Sequence, residues 1–170
     1  MQRSLAALVI GITLIVLSTG LALAEHRFID NENGTFSDPK TGLMWSLRDN
    51  QGDITWLDAR QWARFTFPST LPRDQGNWRL PTSDELSSLE SDNTTYEGYE
   101  SDCGITVRIE RAVELTCAFV WTADESGIQA RYFNFQQGVQ VLDRKTKSRG
   151  HRALAVRTLS DEERSALQQQ

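Results

Sequence analysis

Two kinds of apolar pattern divide the chain. Residues 5–17 form an almost unbroken apolar run, whereas from residue 27 onward the apolar positions come in short, spaced groups. Residues 27–30 read as a short strand, 31–34 as a turn and 35–38 as the returning strand, because Asn33-Gly34 offers the positive backbone angles that a tight hairpin needs. A second turn at 39–42 leads into Leu43, Met44 and Trp45. Trp56, Ala59, Arg60, Ala63 and Phe65 then recur at helical spacing and predict a helix over 55–65, capped by Asp53 or Thr55 and ended by Pro68 and Pro72. Thr82 stands three residues before Glu85, the spacing of a capping box, and predicts a second helix over 83–90 that turns Leu86 and Leu89 inward. From 91 to 116 no period holds, apart from strand-like alternation over 105–109, so a long loop is expected. Runs at 118–122, 129–135 and 139–142, with Gly127 and Gly138 between them, predict an antiparallel meander, and 153–157 a last strand. The polar residues 160–170 suit a surface helix or a disordered tail.

The apolar run follows a single charge, Arg3, and gives way to small residues ending Ala22-Leu23-Ala24, the order of a secretory signal peptide over 1–24. An uncleaved anchor is the competing reading, since residues 5–24 have about the length that spans a bilayer. Ser18, Thr19 and Gly20 interrupt that run, however, and no basic stop-transfer cluster follows it. No Cys stands at the cleavage point, which argues against a lipid anchor. The expected location is therefore the periplasm or the medium, with the membrane met only through the uncleaved signal during export. What remains has the length of one domain, over 25–159, followed by the polar tail.

That compartment changes how Cys103 and Cys117 are read. In an oxidising environment an isolated pair is expected to be bonded, and closing a loop of about 15 residues stabilises by roughly 3 kcal/mol in the chain-entropy model. Charge narrows the partners: 18 Lys and Arg against 23 Asp and Glu give a net charge of −5, and the leader removes one further cation. That balance argues against a general nucleic-acid binder. One stretch departs from it, because Arg144, Lys145, Lys147, Arg149 and Arg152 concentrate five cations between two predicted strands. A hairpin loop of this kind would offer an anion-binding surface to a sulfated glycan, a phosphate-rich envelope polymer or an acidic partner; the plainer reading is a solubilising loop that protects an edge strand.

Catalytic chemistry is thinly represented. The mature chain has only His26, at its start, and His151, inside the basic stretch; Asp143 or Asp124 could partner His151 as a base, but a solvated loop histidine is the expectation. No Gly-x-Ser-x-Gly, His-Glu-x-x-His or phosphate-cradling glycine loop occurs. The adjacent pairs Asp84-Glu85 and Asp124-Glu125 could supply oxygens to a Ca²⁺ ion, yet such pairs more often cap helices or turns, and no metal or other cofactor is expected. Trp45, Trp56, Trp62, Trp78 and Trp121 could form a sugar-stacking platform. Core positions with bonded indole N–H groups are expected for Trp45, Trp78 and Trp121, with Trp62 the most exposed of the five.

Three stretches together resemble the bacterial domain family named after the C-terminal domain of the Legionella collagen-like adhesin. They are Arg27-Phe28-Ile29-Asp30 through Thr41-Gly42-Leu43-Met44-Trp45, then Trp78-Arg79-Leu80-Pro81-Thr82 with Glu85-Leu86, and Phe119-Val120-Trp121-Thr122 with Phe133-Asn134-Phe135, Gly138 and Ala155-Val156-Arg157. The resemblance implies an α+β domain of C-type lectin-like fold, with a twisted antiparallel sheet, two helices and long loops. It also implies an exported or surface protein, and the namesake recognises sulfated glycans. The calcium-dependent sugar motifs of the wider fold, Glu-Pro-Asn or Gln-Pro-Asp with Trp-Asn-Asp, are missing here. Fold does not carry function by itself. The expected function is a non-enzymatic exported binding module for an anionic glycan or envelope polymer. The alternatives are a subunit docking on an envelope protein and, more weakly, an enzyme like the formylglycine-generating proteins, whose reactive Cys a bonded pair would remove.

Overall fold

The computed structural model describes residues 27–72, 76–91 and 93–167; the leader read at 1–24 lies outside them, as does His26. The opening meander forms where expected, β1 (Ile29–Asp30) pairing with β2 (Thr35–Asp38) and β2 with β3 (Leu43–Ser46), all antiparallel. Its first turn uses positive φ at Glu32 and Gly34, not at Asn33, whose side-chain oxygen accepts from the Thr35 N–H and hydroxyl.

Helix α1 (Trp56–Gln61) starts on Thr55, whose hydroxyl accepts from the Asp58 N–H. The chain then widens into a π-turn over Trp62–Thr66 and tightens into a 3₁₀ turn over Pro68–Thr70. The wider turn corrects the expectation for Phe65: it is 63% exposed, and Phe67 takes the inward place. Helix α2 (Ser83–Ser87) is shorter than expected but carries the full capping box, Thr82 and Glu85 each accepting from the other's N–H, and it buries Leu86 and Leu89 completely.

The 93–116 segment does more than loop. It holds a ribbon of β4 (Tyr99–Glu100) and β5 (Thr106–Val107), places Val107, Ile109, Val113 and Leu115 in the core, and is closed by the Cys103–Cys117 disulfide. Its strands are too short for a period to register. Gly98, at φ +93°, admits the ribbon, since a Cβ there would lie 2.3 Å from the Val107 carbonyl oxygen.

The predicted meander is β6 (Phe119–Ser126), β7 (Gln129–Asn134) and β8 (Val139–Arg144). Instead of a hairpin, the chain after β8 crosses to place β9 (His151–Arg152) parallel to β6, so the sheet order is β8-β7-β6-β9. β10 (Val156–Thr158) then pairs with β3, giving a second sheet of order β1-β2-β3-β10 that joins the two ends of the domain. The architecture is thus α+β, with two four-stranded sheets in place of the one expected. The central strands are buried on both faces: β2 and β3 are buried throughout, and in the first half of β6 Val120 enters one apolar cluster and the neighbouring Trp121 the other, as alternating strand side chains must. The described part of the polar tail forms α3 (Asp161–Leu167), and Leu167 packs against the Trp121 cluster. Among the described residues no helix is long and apolar enough to cross a membrane.

Candidate anion-binding cleft

Of the five cations of the 144–152 stretch, three are exposed and two are engaged within the fold. Arg144 ends β8 and is exposed, as are Lys147 and Arg149. Lys145 lies over the Trp56 ring at 4.4 Å, pairs with Glu125 and donates to the Gly127 carbonyl, so its charge is already engaged. Arg152 is 8% exposed; it donates to Asp53 at 2.8 Å and to the Thr116 hydroxyl at 2.6 Å, with Asp49 3.8 Å away. It is an internal strut that ties the edge strand β9 to Asp53 and Thr116.

Cations converge instead on a cleft of about 600 Å³ between α1 and the segment before α2, where Arg60, Arg64 and Arg79 share the wall with Asn77, Trp78 and Glu125. Local structure sets each one. Arg60 and Arg64 are four residues apart, one helical turn, and project from the same side of α1 and its π-turn. Each guanidinium is held by a ring, Arg60 at 4.8 Å from the Trp56 centroid and Arg64 at 5.2 Å from Phe65. Stacking occupies the face of a guanidinium and leaves its in-plane N–H groups directed outward. Neither side chain makes a hydrogen bond or ion pair among the described residues. Arg79 is different: both its terminal nitrogens donate to Glu85 at 2.7 Å. Burial pushes the Glu85 carboxyl up, but the Arg79 fork and the Thr82 N–H outweigh it and hold the group below its ordinary value. Glu125 is committed to Lys145, so the two carboxylates nearest the cleft are both paired.

A bulge builds the opposite wall. Between Trp121 and Glu125 the β6–β7 register shifts, the Thr122 hydroxyl donates to the Arg131 carbonyl, and Asp124 accepts from the Ser83 N–H at the start of α2. Asp124 and Glu85 therefore serve α2 and Glu125 pairs with Lys145, while Asp84 is an exposed residue of the first turn of α2. Among the described residues no group of three metal-ligating side chains occurs. The sequence reading placed Arg60 on the helix over 55–65 but gave neither it nor Arg64 a binding role, although two cations four apart on a short helix is a spacing that repels unless something uses the charge.

His151 is not a solvated loop residue. It is 4% exposed, stacked on Trp121 at 4.2 Å, edge-on to Tyr132 at 4.8 Å, and its Nε2 is 3.8 Å from Asp143. Asp124, the other candidate partner, is engaged at α2. Burial pushes the His151 pKa down, against the Arg149 carbonyl and Asp143, which favour the charged form. Of the tryptophans, Trp121 and Trp56 donate to the carbonyls of Ile54 and Thr122. The expectation of bonded indoles fails at Trp45 and Trp78, whose buried N–H groups have no acceptor among the described residues. Both described Cys are bonded to each other.

The family model for the Lcl C-terminal domain matches residues 34–157, and the chain belongs to that family. The matched span runs from the turn before β2 into β10, so it leaves out β1 but holds the whole β8-β7-β6-β9 sheet together with Arg60, Arg64 and Arg79 of the cleft. No curated protein matches the chain.

Proposed function

We propose that this member of the Lcl C-terminal domain family is an exported, non-enzymatic binding module on a C-type lectin-like scaffold. Its ligand is the anionic group of a sulfated or phosphorylated glycan, held in the cleft of Arg60, Arg64 and Arg79. The observation that carries the reading is the pair of ring-stacked guanidiniums, Arg60 and Arg64, with no acidic partner among the described residues. A sulfate or phosphate accepts two parallel N–H bonds from such a fork, and each charge-assisted bond contributes about 1.5–3 kcal/mol where water is partly excluded. Arg144 and Lys147, beyond Lys145, would add long-range attraction more than contact. Export is supported by the leader pattern and the disulfide, and the α+β sheet pair joined at its ends by β3 and β10 is compatible with the lectin-like scaffold.

The test is calorimetric titration of the protein with dextran sulfate and with uncharged dextran, at low and physiological salt. Arg60→Gln/Arg64→Gln and Lys147→Gln/Arg149→Gln variants are titrated beside the wild type. The expected result is binding of the sulfated polymer alone, weakened by salt, and reduced at least about tenfold by the first variant but only modestly by the second. Loss confined to the second variant would return recognition to the 144–152 loop. No binding to either polymer would favour docking on an envelope protein. The enzyme reading is weakest, because formylglycine-type chemistry needs a free thiol and the two Cys are joined.

A further inference from the structure

We infer that the flank of α1 opposite the cationic cleft carries a second, independent site, a recess that binds a neutral pyranose ring against Trp62. The recess measures about 350 Å³ and is walled by Trp62 and Phe67, with Arg48, Asn50, Gln51 and Thr70 around its mouth. That volume is at the lower end of small-molecule pockets. Trp62 is two residues from both Arg60 and Arg64, about half a helical turn from each, which directs it away from the other cleft.

Three features separate this recess from an ordinary surface dip. First, the helix is interrupted there by a π-turn, closed by the Phe67 N–H donating to the Trp62 carbonyl at 2.8 Å, with no Pro or Gly between 56 and 67 to force it. Such turns re-aim side chains and recur at functional positions. Second, Trp62 stays half-buried on Phe67, ring centroids 5.4 Å apart, and its indole N–H makes no hydrogen bond among the described residues. Third, Gln51 sits at φ 59° without being glycine, held there by Asp49, which accepts from its N–H at 2.7 Å, while its side-chain amide has no partner among the described residues. Left-handed backbone at a non-glycine residue persists where neighbours enforce it, and here it leaves an amide free at the rim.

The chemistry of the lining selects the ligand. Every charge at the recess is already committed: Arg48 pairs with Glu114, and Asp49 is buried among the Thr116, Gln51 and Arg152 donors. What remains free is an aromatic face, an indole N–H, a carboxamide and the lone pairs of the Thr70 hydroxyl. A flat ring with one C–H face and hydroxyls on its edge uses all four, and it needs no counter-charge.

The test titrates the protein with cellotriose and chitotriose, following tryptophan fluorescence and calorimetry at two salt concentrations. At least one saccharide is expected to bind, with little salt dependence. Trp62→Ala should lose about tenfold or more and Trp62→Phe less. Gln51→Gly, which preserves the backbone angle while removing the amide, should lose several-fold, and Arg60→Gln/Arg64→Gln should bind as the wild type does. Absence of binding by both sugars, or binding that survives both Trp62→Ala and Gln51→Gly, overturns the inference. Because the second site's ligand is uncharged, either site can fail without the other.

Discussion

Replacing Glu163 with Gln should loosen the C-terminal helix in a pH-dependent way. Arg157 is 4% exposed at its β10 position, lies 5.6 Å from the Trp78 ring, donates to Met44 Sδ at 3.1 Å and pairs with both carboxylate oxygens of Glu163 in α3. Glu163 also accepts from the Ser160 N–H at 2.7 Å. The Arg157 fork is the main cause that holds the Glu163 carboxyl down at about 2, against an ordinary 4.5; burial works the other way. At ~1.4 kcal/mol per unit that displacement is worth about 3 kcal/mol at most. The Glu163 side chain is 28% exposed, so solvent screening reduces the expected loss to about 1–2 kcal/mol. A carboxyl depressed by folding contributes fully above the unfolded value, near 4.5, and its contribution disappears as the pH falls toward 2. Urea denaturation followed by tryptophan fluorescence should show Glu163→Gln unfolding at lower urea than wild type at pH 7 with an unchanged slope, the two curves converging toward pH 2. Equal stability at pH 7, or a gap that persists at the acid end, refutes the reasoning.

Three further outcomes follow from the same geometry. Cys103→Ala/Cys117→Ala should lower stability by about 3 kcal/mol, read from the same urea curves, because the bridge closes the segment that carries the buried Val107, Ile109 and Val113. His151 resists protonation in the fold, so wild-type stability should fall as pH drops below the unfolded value of 6.5 and level off once the folded ring is charged; His151→Phe should flatten that part of the thermal-melting profile between pH 7 and 5. Thr82→Ala removes half of the α2 capping box and should cost about 1 kcal/mol, measured by denaturation at pH 7, with Thr82→Ser close to wild type.

The parts of this fold that were legible in the sequence are those governed by local chemistry. The capping box at Thr82 and Glu85, the turn glycines 127 and 138 and the apolar runs of β6 to β8 each state their conformation within a few residues. Closure of β10 onto β3 and the parallel placement of β9 are decided by packing across more than a hundred residues, or across a connection that looks like a hairpin, and no local pattern records them. His151 shows the same limit: flanked by Arg149, Gly150 and Arg152 it reads as solvated, whereas strand pairing with Phe119 carries it under Trp121 and Tyr132. The charge density of residues 144–152 drew attention because it is contiguous. Arg60 and Arg64 lie one helical turn apart in the sequence, but folding alone brings Arg79 to the same cleft.

The cleft itself can be read directly from the side-chain Nε–H resonances of the arginines, assigned in the isotope-labelled protein and followed while a sulfated disaccharide is added. The account predicts that Arg60 and Arg64 shift most, with Arg79 following and the buried Arg152 unmoved. Shifts confined to Arg144 and Arg149, or no shift at any arginine, would contradict it.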